Sequence, residues 1–320
     1  MKRADRAILL SRTPMWVLTT IARLKSLFKL SFSQYPLYNK GCLNRQPLFI
    51  LGCGRSGNTL LRSMLMAGDE IAIPPESYVL PKTIRLFRAY NYLPWDQLSS
   101  LIIGEFQAYK EFYTWQLDLS PCYSECRQLP KHQQTLANII DVIYRHYARE
   151  QGVESEFWGD KTPINALYVA HIVKLFPQAH FIHLIRDPRA VVASYLKTGM
   201  HKDAGSVARL WKTVNNRLSH YLKPSLAKQI ITYERLVKKP EQTLQEIAQG
   251  LKISYSDKLV NHYQSGTQLG DVAVHEHHQN VGKKISTENI YKWKSHLSEA
   301  ELKTVCKLLK KEREKYGYKL

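Results

Sequence analysis

The sequence predicts an α/β fold: one doubly wound parallel sheet of about five strands, flanked by helices, in a single domain. Three observations carry this expectation. Short apolar runs at 47–52, 70–73, 156–158, 180–185 and 229–233 have the length and composition of buried strands. Stretches with helical spacing separate them, among them Leu136, Ile139, Ile140, Ile143 and Tyr147. Finally, the first and fourth runs end abruptly, in Gly52-Cys53-Gly54 and in Arg186-Asp187-Pro188-Arg189, each followed by a helical pattern.

The chain is organised around Pro47–Leu65, PLFILGCGRSGNTLLRSML. Leu48 to Leu51 reads as a buried strand, and apolar residues at Leu60, Leu61, Met64 and Leu65 mark the helix after the turn. A strand, a glycine-punctuated turn and a helix N-terminus bind phosphate-like anions, because backbone N–H groups converge there and the helix dipole favours negative charge. The spacing from Gly52 to Gly57-Asn58-Thr59 is that of a P-loop with Asn58 in place of its Lys; the positive charge sits at Arg55 instead.

Residues 1–46 read as a separate basic N-terminal segment, closed by turn signals at Tyr35-Pro36 and Asn39-Lys40-Gly41. Within it, 15–32 alternates apolar residues with Arg23, Lys25 and Lys29, a pattern of a terminal helix or of peripheral contact with a membrane surface. After the first helix, Pro74-Pro75 fixes an extended backbone and presents Glu76 on a rigid turn. The aromatic region 81–150 reads as helices that cover the sheet and help to line a cleft. Lys161, in Asp160-Lys161-Thr162-Pro163, stands at a strand-to-helix junction, where ligands of open α/β sheets bind; a surface Lys–Asp pair is the plainer alternative. HFIHLI (180–185) leads into Arg186, and Ser194 lies two helical turns further on, so both reach a ligand at the strand's end. Tyr233 ends the run QIITY, and a polar loop with His275, His277 and His278 precedes Lys292. These histidines lack companion ligands at metal-site spacing, so no metal is expected. Residues 298–316 read as one basic helix with a Ser298/Glu301 capping box.

Composition narrows the function classes. Lys and Arg number 46 against 27 Asp and Glu, a formal charge of +19 that favours anionic partners. No stacked-aromatic or base-reading motif accompanies that charge, so nucleic acid is not the expected partner. Five cysteines in 320 residues make no disulfide framework, which suits a reducing compartment. No run reaches the roughly 18–20 apolar residues of a membrane span, and Ala7–Leu10 is short for a signal core. A cytoplasmic protein is the expectation.

Two anion sites at the ends of two strands suit a nucleotide with phosphate at both its 5′ and 3′ positions. Here the residues resemble the sulfotransferase family that uses 3′-phosphoadenylyl sulfate (PAPS): GRSGNTLL is similar to its 5′-phosphosulfate loop, and IRDPRAVVAS to its 3′-phosphate motif. The resemblance covers roughly 47 to 295, which makes 47–320 the sulfotransferase domain, and is nearest to the branch with protein-tyrosine sulfotransferases and related bacterial enzymes. It implies that Glu76 is the catalytic base and Lys161 an active-site lysine, and that Tyr233 and Lys292 are cofactor contacts. Two positions depart from the pattern: Asn58 stands where the loop often has Thr, and Thr198 where a second basic residue often follows the serine. The implied reaction is in-line attack of an acceptor hydroxyl on the sulfuryl group, with Glu76 taking the proton. Arg55, Lys161 and the backbone of Ser56, Gly57, Asn58, Thr59 and Leu60 then meet the developing charge, with adenosine 3′,5′-bisphosphate as the leaving group. A protein tyrosine, a glycan and a small molecule all suit Glu76 as acceptors. The alternatives are a P-loop-type nucleotide-dependent kinase, which the missing loop Lys opposes, and a non-catalytic polyanion-binding protein.

Overall fold

Four parallel strands form the sheet, β1 (Leu48–Leu51), β2 (Gly159–Asp160), β3 (His180–Ile185) and β4 (Lys228–Thr232), in the order β2-β1-β3-β4. The computed structural model describes residues 34–264 and 283–318, and before them positions 14, 16, 17, 19–21, 23 and 24. Register runs from Leu48 opposite Gly159 and His180 to Ile185 opposite Thr232. Because successive side chains of a strand point to opposite faces, β1 divides its residues. Phe49 and Leu51 pack with Phe181 and Ile185 into one core, and Leu48 and Ile50 with Ile182 and Leu184 into another. Both faces are therefore apolar, and each fully buried Leu, Ile or Phe contributes about 1.5–3 kcal/mol. That explains why the strands read as continuous apolar runs.

Helices cover both faces. α1 (Asn58–Met66) follows β1. Between β1 and β2 come α2 (Leu80–Ala89), α3 (Trp95–Gln107), α4 (Ser120–Gln128) and α5 (Leu136–Glu150), the last N-capped by Thr135, whose hydroxyl accepts from the Asn138 N–H (3.1 Å). α6 (Val169–Leu175) precedes β3; α7 (Pro188–Lys197) and α8 (Ala204–Tyr221) lead to β4; α9 (Tyr233–Lys238) and α10 (Pro240–Leu251) follow it. Leu61 and Met64 of α1 and Leu244 and Ile247 of α10 fill one core, whereas Ile139 and Ile143 of α5 and Trp211 of α8 fill the other.

Three expectations change. The run 70–73 contributes only an isolated bridge, Ala72 to Trp158, with hydrogen bonds Ala72 N–H to Phe157 O and Gly159 N–H to Ala72 O, both 2.9 Å. Pro74 and Pro75 bring no N–H groups, so the ladder stops there and, among the described residues, four strands stand instead of five. The strand expected at 156–158 lies just beyond that range, at Gly159–Asp160. The C-terminal helix is two, Glu299–Leu308 and Lys310–Lys315, broken at Leu309; its capping box is present, with Ser298 N–H donating to Glu301 Oε2 (2.8 Å) and Glu301 N–H to Ser298 Oγ (3.3 Å).

Residues 34–46 dock onto the helical layer. Asn91 Oδ1 accepts from the Tyr35 N–H (2.8 Å), Pro36 and Leu37 carbonyls accept from the first turn of α5, and Cys42 and Leu43 are buried. The described positions from 16 to 24 are helical; the rest of the segment 15–32 lies outside the described residues. Among the described residues no helix is long and apolar enough to cross a membrane.

Candidate active site

The strand order places a crevice. β1 is flanked by β2 on one side and β3 on the other, so the connections leaving β1 and β3 diverge at their carboxyl ends, where ligands of open α/β sheets bind. A cleft of about 1130 Å³ opens there. Seven Lys and Arg side chains line it against Glu76 and Glu111.

The turn after β1 is built for close approach. A Cβ on Gly52 would stand 2.4 Å from the Leu184 carbonyl oxygen, so only glycine lets this turn lie against β3. Gly57 has φ +94° as the residue before α1, and Arg55 has φ +66°. Such left-handed residues turn successive N–H groups inward, the concave arrangement that receives anions. The first turn of α1 has no side-chain cap and no acidic residue, which leaves its N–H groups and dipole directed at the cleft. Ser56 Oγ and Asn58 Oδ1 are buried without a hydrogen-bond partner among the described residues. Polar atoms in that condition call for a ligand or ordered water.

At one end of the cleft stands a pair joined from two turns. Lys161, whose side chain is wholly buried just past β2, donates to Glu76 Oε1 and to Thr59 Oγ1 (3.3 Å). Glu76 is held from below. Arg62, buried in α1, donates to the Ile73 carbonyl (2.7 Å), and Thr162 Oγ1 accepts from the Ser77 N–H (3.2 Å). Asp160 anchors that same turn. Buried completely, it accepts from Tyr144 OH (2.8 Å), Thr162 N–H (3.0 Å) and Asn165 Nδ2 (2.7 Å), and its burial raises its pKa against these bonds. The Asp-Lys dipeptide is thus no surface pair, since both residues are buried and Asp160 turns to Tyr144 while Lys161 turns to Glu76 and Thr59. The second oxygen of Glu76, Oε2, accepts from Tyr78 OH (2.7 Å). The Tyr78 phenol is pushed well above its ordinary pKa, first by desolvation and then by the Glu76 charge.

The other end gathers cations. Arg55 Nε donates to Ser194 Oγ (3.0 Å), and Arg186 donates to the Arg55 carbonyl (3.0 Å) and to the Asn289 carbonyl (2.7 Å). The Arg186 guanidinium lies 4.2 Å from the centroid of the Tyr233 ring, stacked on it, and its Nε is buried without a partner among the described residues. Burial, then Arg186, depress the Arg55 pKa, the mark of two like charges held close, which an anion would relieve. The turn is rigid from behind. Asp187 caps α7 and pairs with Arg189 (2.7 Å), whose guanidinium covers Trp293 (4.1 Å), and Glu234 accepts from both the Asp187 N–H (3.0 Å) and Tyr318 OH (2.8 Å).

The residues expected to hold the nucleotide or act in transfer therefore converge. Arg55, Gly57, Asn58, Thr59, Leu60, Glu76, Arg186, Ser194, Tyr233 and Lys292 line the cleft, with Ser56 and Lys161 immediately beneath. His275, His277 and His278 lie outside the described residues. Sequence reasoning missed Tyr78, Arg62, Asp160, Asn289 and Trp293. A clue existed only for Asp160, by its place beside Lys161.

The description "Sulfotransferase family" fits residues 47–257. Curated relatives include protein-tyrosine sulfotransferase 2 of Gallus gallus, 24% identical over 263 residues, and protein-tyrosine sulfotransferase 1 of Danio rerio, 23% identical over 269. The alignments take in 78% and 80% of this chain but 63% and 67% of those proteins, so the chain spans about two thirds of their length. Among solved structures, the sulfotransferase domain of the Synechococcus PCC 7002 olefin synthase is 26% identical and superposes with a TM-score of 0.58 over 87% of this chain and 97% of that one. A sulfotransferase domain from the curacin biosynthetic pathway shares the fold, at 22% identity and a TM-score of 0.53 over 83% and 99%. The chain belongs to the sulfotransferase family, and its enzyme class is transfer of sulfate groups.

Proposed function

We propose that this protein transfers the sulfuryl group of PAPS to an acceptor hydroxyl, with Glu76 as the general base. The observation that carries the reading is the order of groups along the sheet. Lys161 follows β2, the glycine turn follows β1, Arg186 follows β3 and Tyr233 follows β4. Two anion sites thus lie side by side across the switch point with a lysine-held carboxylate at one end, the layout for a nucleotide bearing a 3′-phosphate and a 5′-phosphosulfate. The unpartnered Ser56 Oγ and Arg186 Nε fit such a ligand.

PAPS supplies the sulfuryl group, and adenosine 3′,5′-bisphosphate leaves as the bond from sulfur to the 5′-phosphate oxygen breaks. The chain does the rest. Arg186 and Ser194 hold the 3′-phosphate, and Tyr233 backs the guanidinium. The N–H groups of residues 56–60 receive the 5′ end. Glu76 takes the acceptor's proton, while Lys161 fixes Glu76 and, through Thr59, ties it to the loop. Lys161 and Arg55 meet charge that develops as the sulfuryl group moves, at about 3–4 kcal/mol for each well-placed donor. Lys292 lies on the rim as a further cation for the nucleotide.

The test is transfer of labelled sulfate from PAPS to a panel of tyrosine peptides, glycans and small alcohols. Label moving to an acceptor, with one adenosine 3′,5′-bisphosphate released per transfer, supports the proposal. Magnesium-dependent turnover of ATP without sulfate transfer would replace it with a kinase.

A further inference from the structure

Glu76 has two oxygens, and both are engaged. Lys161 takes Oε1 from the buried side, and the phenol of Tyr78 takes Oε2 from the open side at 2.7 Å. On the reading proposed above, an acceptor hydroxyl must come within about 2.6–3.2 Å of the base. That seat on the open side is the one Tyr78 OH holds. We propose that Tyr78 is a specificity-determining residue whose phenol occupies the acceptor hydroxyl's seat until an acceptor displaces it.

Two features fit a side chain that leaves. Tyr78 is 42% exposed, and its ring stacks on Tyr109 in the cleft (centroids 6.2 Å apart, planes 29°). Its neighbours stay put: Ser77 and Val79 are buried, and Ser77 is bonded to Thr162. A rotation about the Tyr78 side chain alone therefore opens Oε2 while the Pro74-Pro75-Glu76 backbone keeps its place. An acceptor must offer a donor that outcompetes a tethered phenol, and its body must fit the space beside Tyr109. Acceptor affinity is thus set by this exchange, whereas nucleotide affinity is not.

Tyr78→Phe tests this, since it keeps the ring and the backbone and removes only the competing hydroxyl. Binding of 4-methylphenol to the complex with adenosine 3′,5′-bisphosphate, measured by calorimetry, requires no turnover. The variant should bind this probe roughly 10- to 100-fold tighter, the loss of one competing hydrogen bond to a charged group. Its affinity for the bisphosphate should stay within about twofold of wild type, as expected for a residue outside both anion sites. Where the wild type transfers sulfate to 4-methylphenol, KM should fall with kcat nearly constant. Unchanged or weaker probe binding overturns the proposal, as does a fall in kcat at constant KM, which would make Tyr78 a holder of the base. Failure of the bisphosphate to bind the wild type would instead overturn the assignment of the donor nucleotide.

Discussion

Lys161 and Glu76 form a pair whose two members sit in different solvents, and that asymmetry makes a sharp prediction. The Lys161 side chain has no exposed surface, whereas 18% of that of Glu76 reaches the cleft. In Glu76→Gln the buried ammonium keeps Thr59 but loses the carboxylate that neutralises it. Breaking a buried pair from this side costs 3–5 kcal/mol; the cleft's water lowers that to about 2–4 kcal/mol here. In Lys161→Met the desolvated charge itself is removed and the carboxylate can turn to water, so the loss should stay below about 1 kcal/mol. Both variants should lose about 10²–10³ in turnover, one by losing the base and the other a donor at the reacting group. The double variant should resemble Lys161→Met in stability, because the term lost in Glu76→Gln is no longer there to lose. Urea denaturation of the four proteins without nucleotide, beside initial rates with PAPS, reads all of this. Equal destabilisation by the two single changes, or a greater loss in Lys161→Met, would refute the pairing; turnover within about tenfold of wild type in Glu76→Gln would remove the base.

Arg186→Ala should weaken adenosine 3′,5′-bisphosphate by roughly 10- to 100-fold and adenosine 5′-monophosphate by much less, since the guanidinium is assigned to the 3′-phosphate; equal losses in calorimetry would count against the 3′ site. Gly52→Ala drives a Cβ to 2.4 Å from the Leu184 carbonyl, so it should cost about 1–3 kcal/mol in denaturation and deform the loop enough to lose bisphosphate binding; normal binding would contradict the close approach. His183, buried in β3 and bonded to Asn215 (2.8 Å), is held down to about 4, chiefly by desolvation. The unfolded chain takes up this proton near pH 6.5 and the folded chain only near 4. Its share of stability is therefore complete above pH 6.5 and lost as pH falls, by about 3 kcal/mol in full and about 2 kcal/mol by pH 5. His183→Gln should flatten the fall between pH 7 and 5, and an unaltered slope would exclude His183 as its source.

What the sequence made legible is what backbone geometry demands locally. The Gly52–Thr59 turn announces itself because its glycines and following helix are contiguous, and Arg186 and Ser194 because a strand end and one helix set their spacing. Contacts between distant segments leave no such trace. Nothing in the order of residues says that Lys161 meets Glu76, 85 positions away, or that Asp160 turns to Tyr144 instead. The run 70–73 misled because apolar content signals burial rather than pairing. Ile71 and Ile73 are buried as a strand's residues would be, yet the prolines that follow end the ladder after one bridge. Tyr78 was hidden by its backbone. Its left-handed φ is unusual for tyrosine, and no propensity argument would place its hydroxyl two residues back on Glu76.

Arg186 bonds to the carbonyl of Arg55, 131 positions earlier, and to that of Asn289, 103 positions later, and Tyr318 reaches back 84 positions to Glu234 behind the same turn. Each closure spends chain entropy before it returns any contact energy. The sheet closes loops as long, Leu48 lying opposite His180, 132 positions on, so the pairing of β1 with β3 itself brings Arg55 and Arg186 together, and the segment with Asn289 and Tyr318 braces them from outside the sheet. A chain interrupted before that segment would keep its strands and lose the contacts that hold Arg186 and Glu234 from outside the sheet.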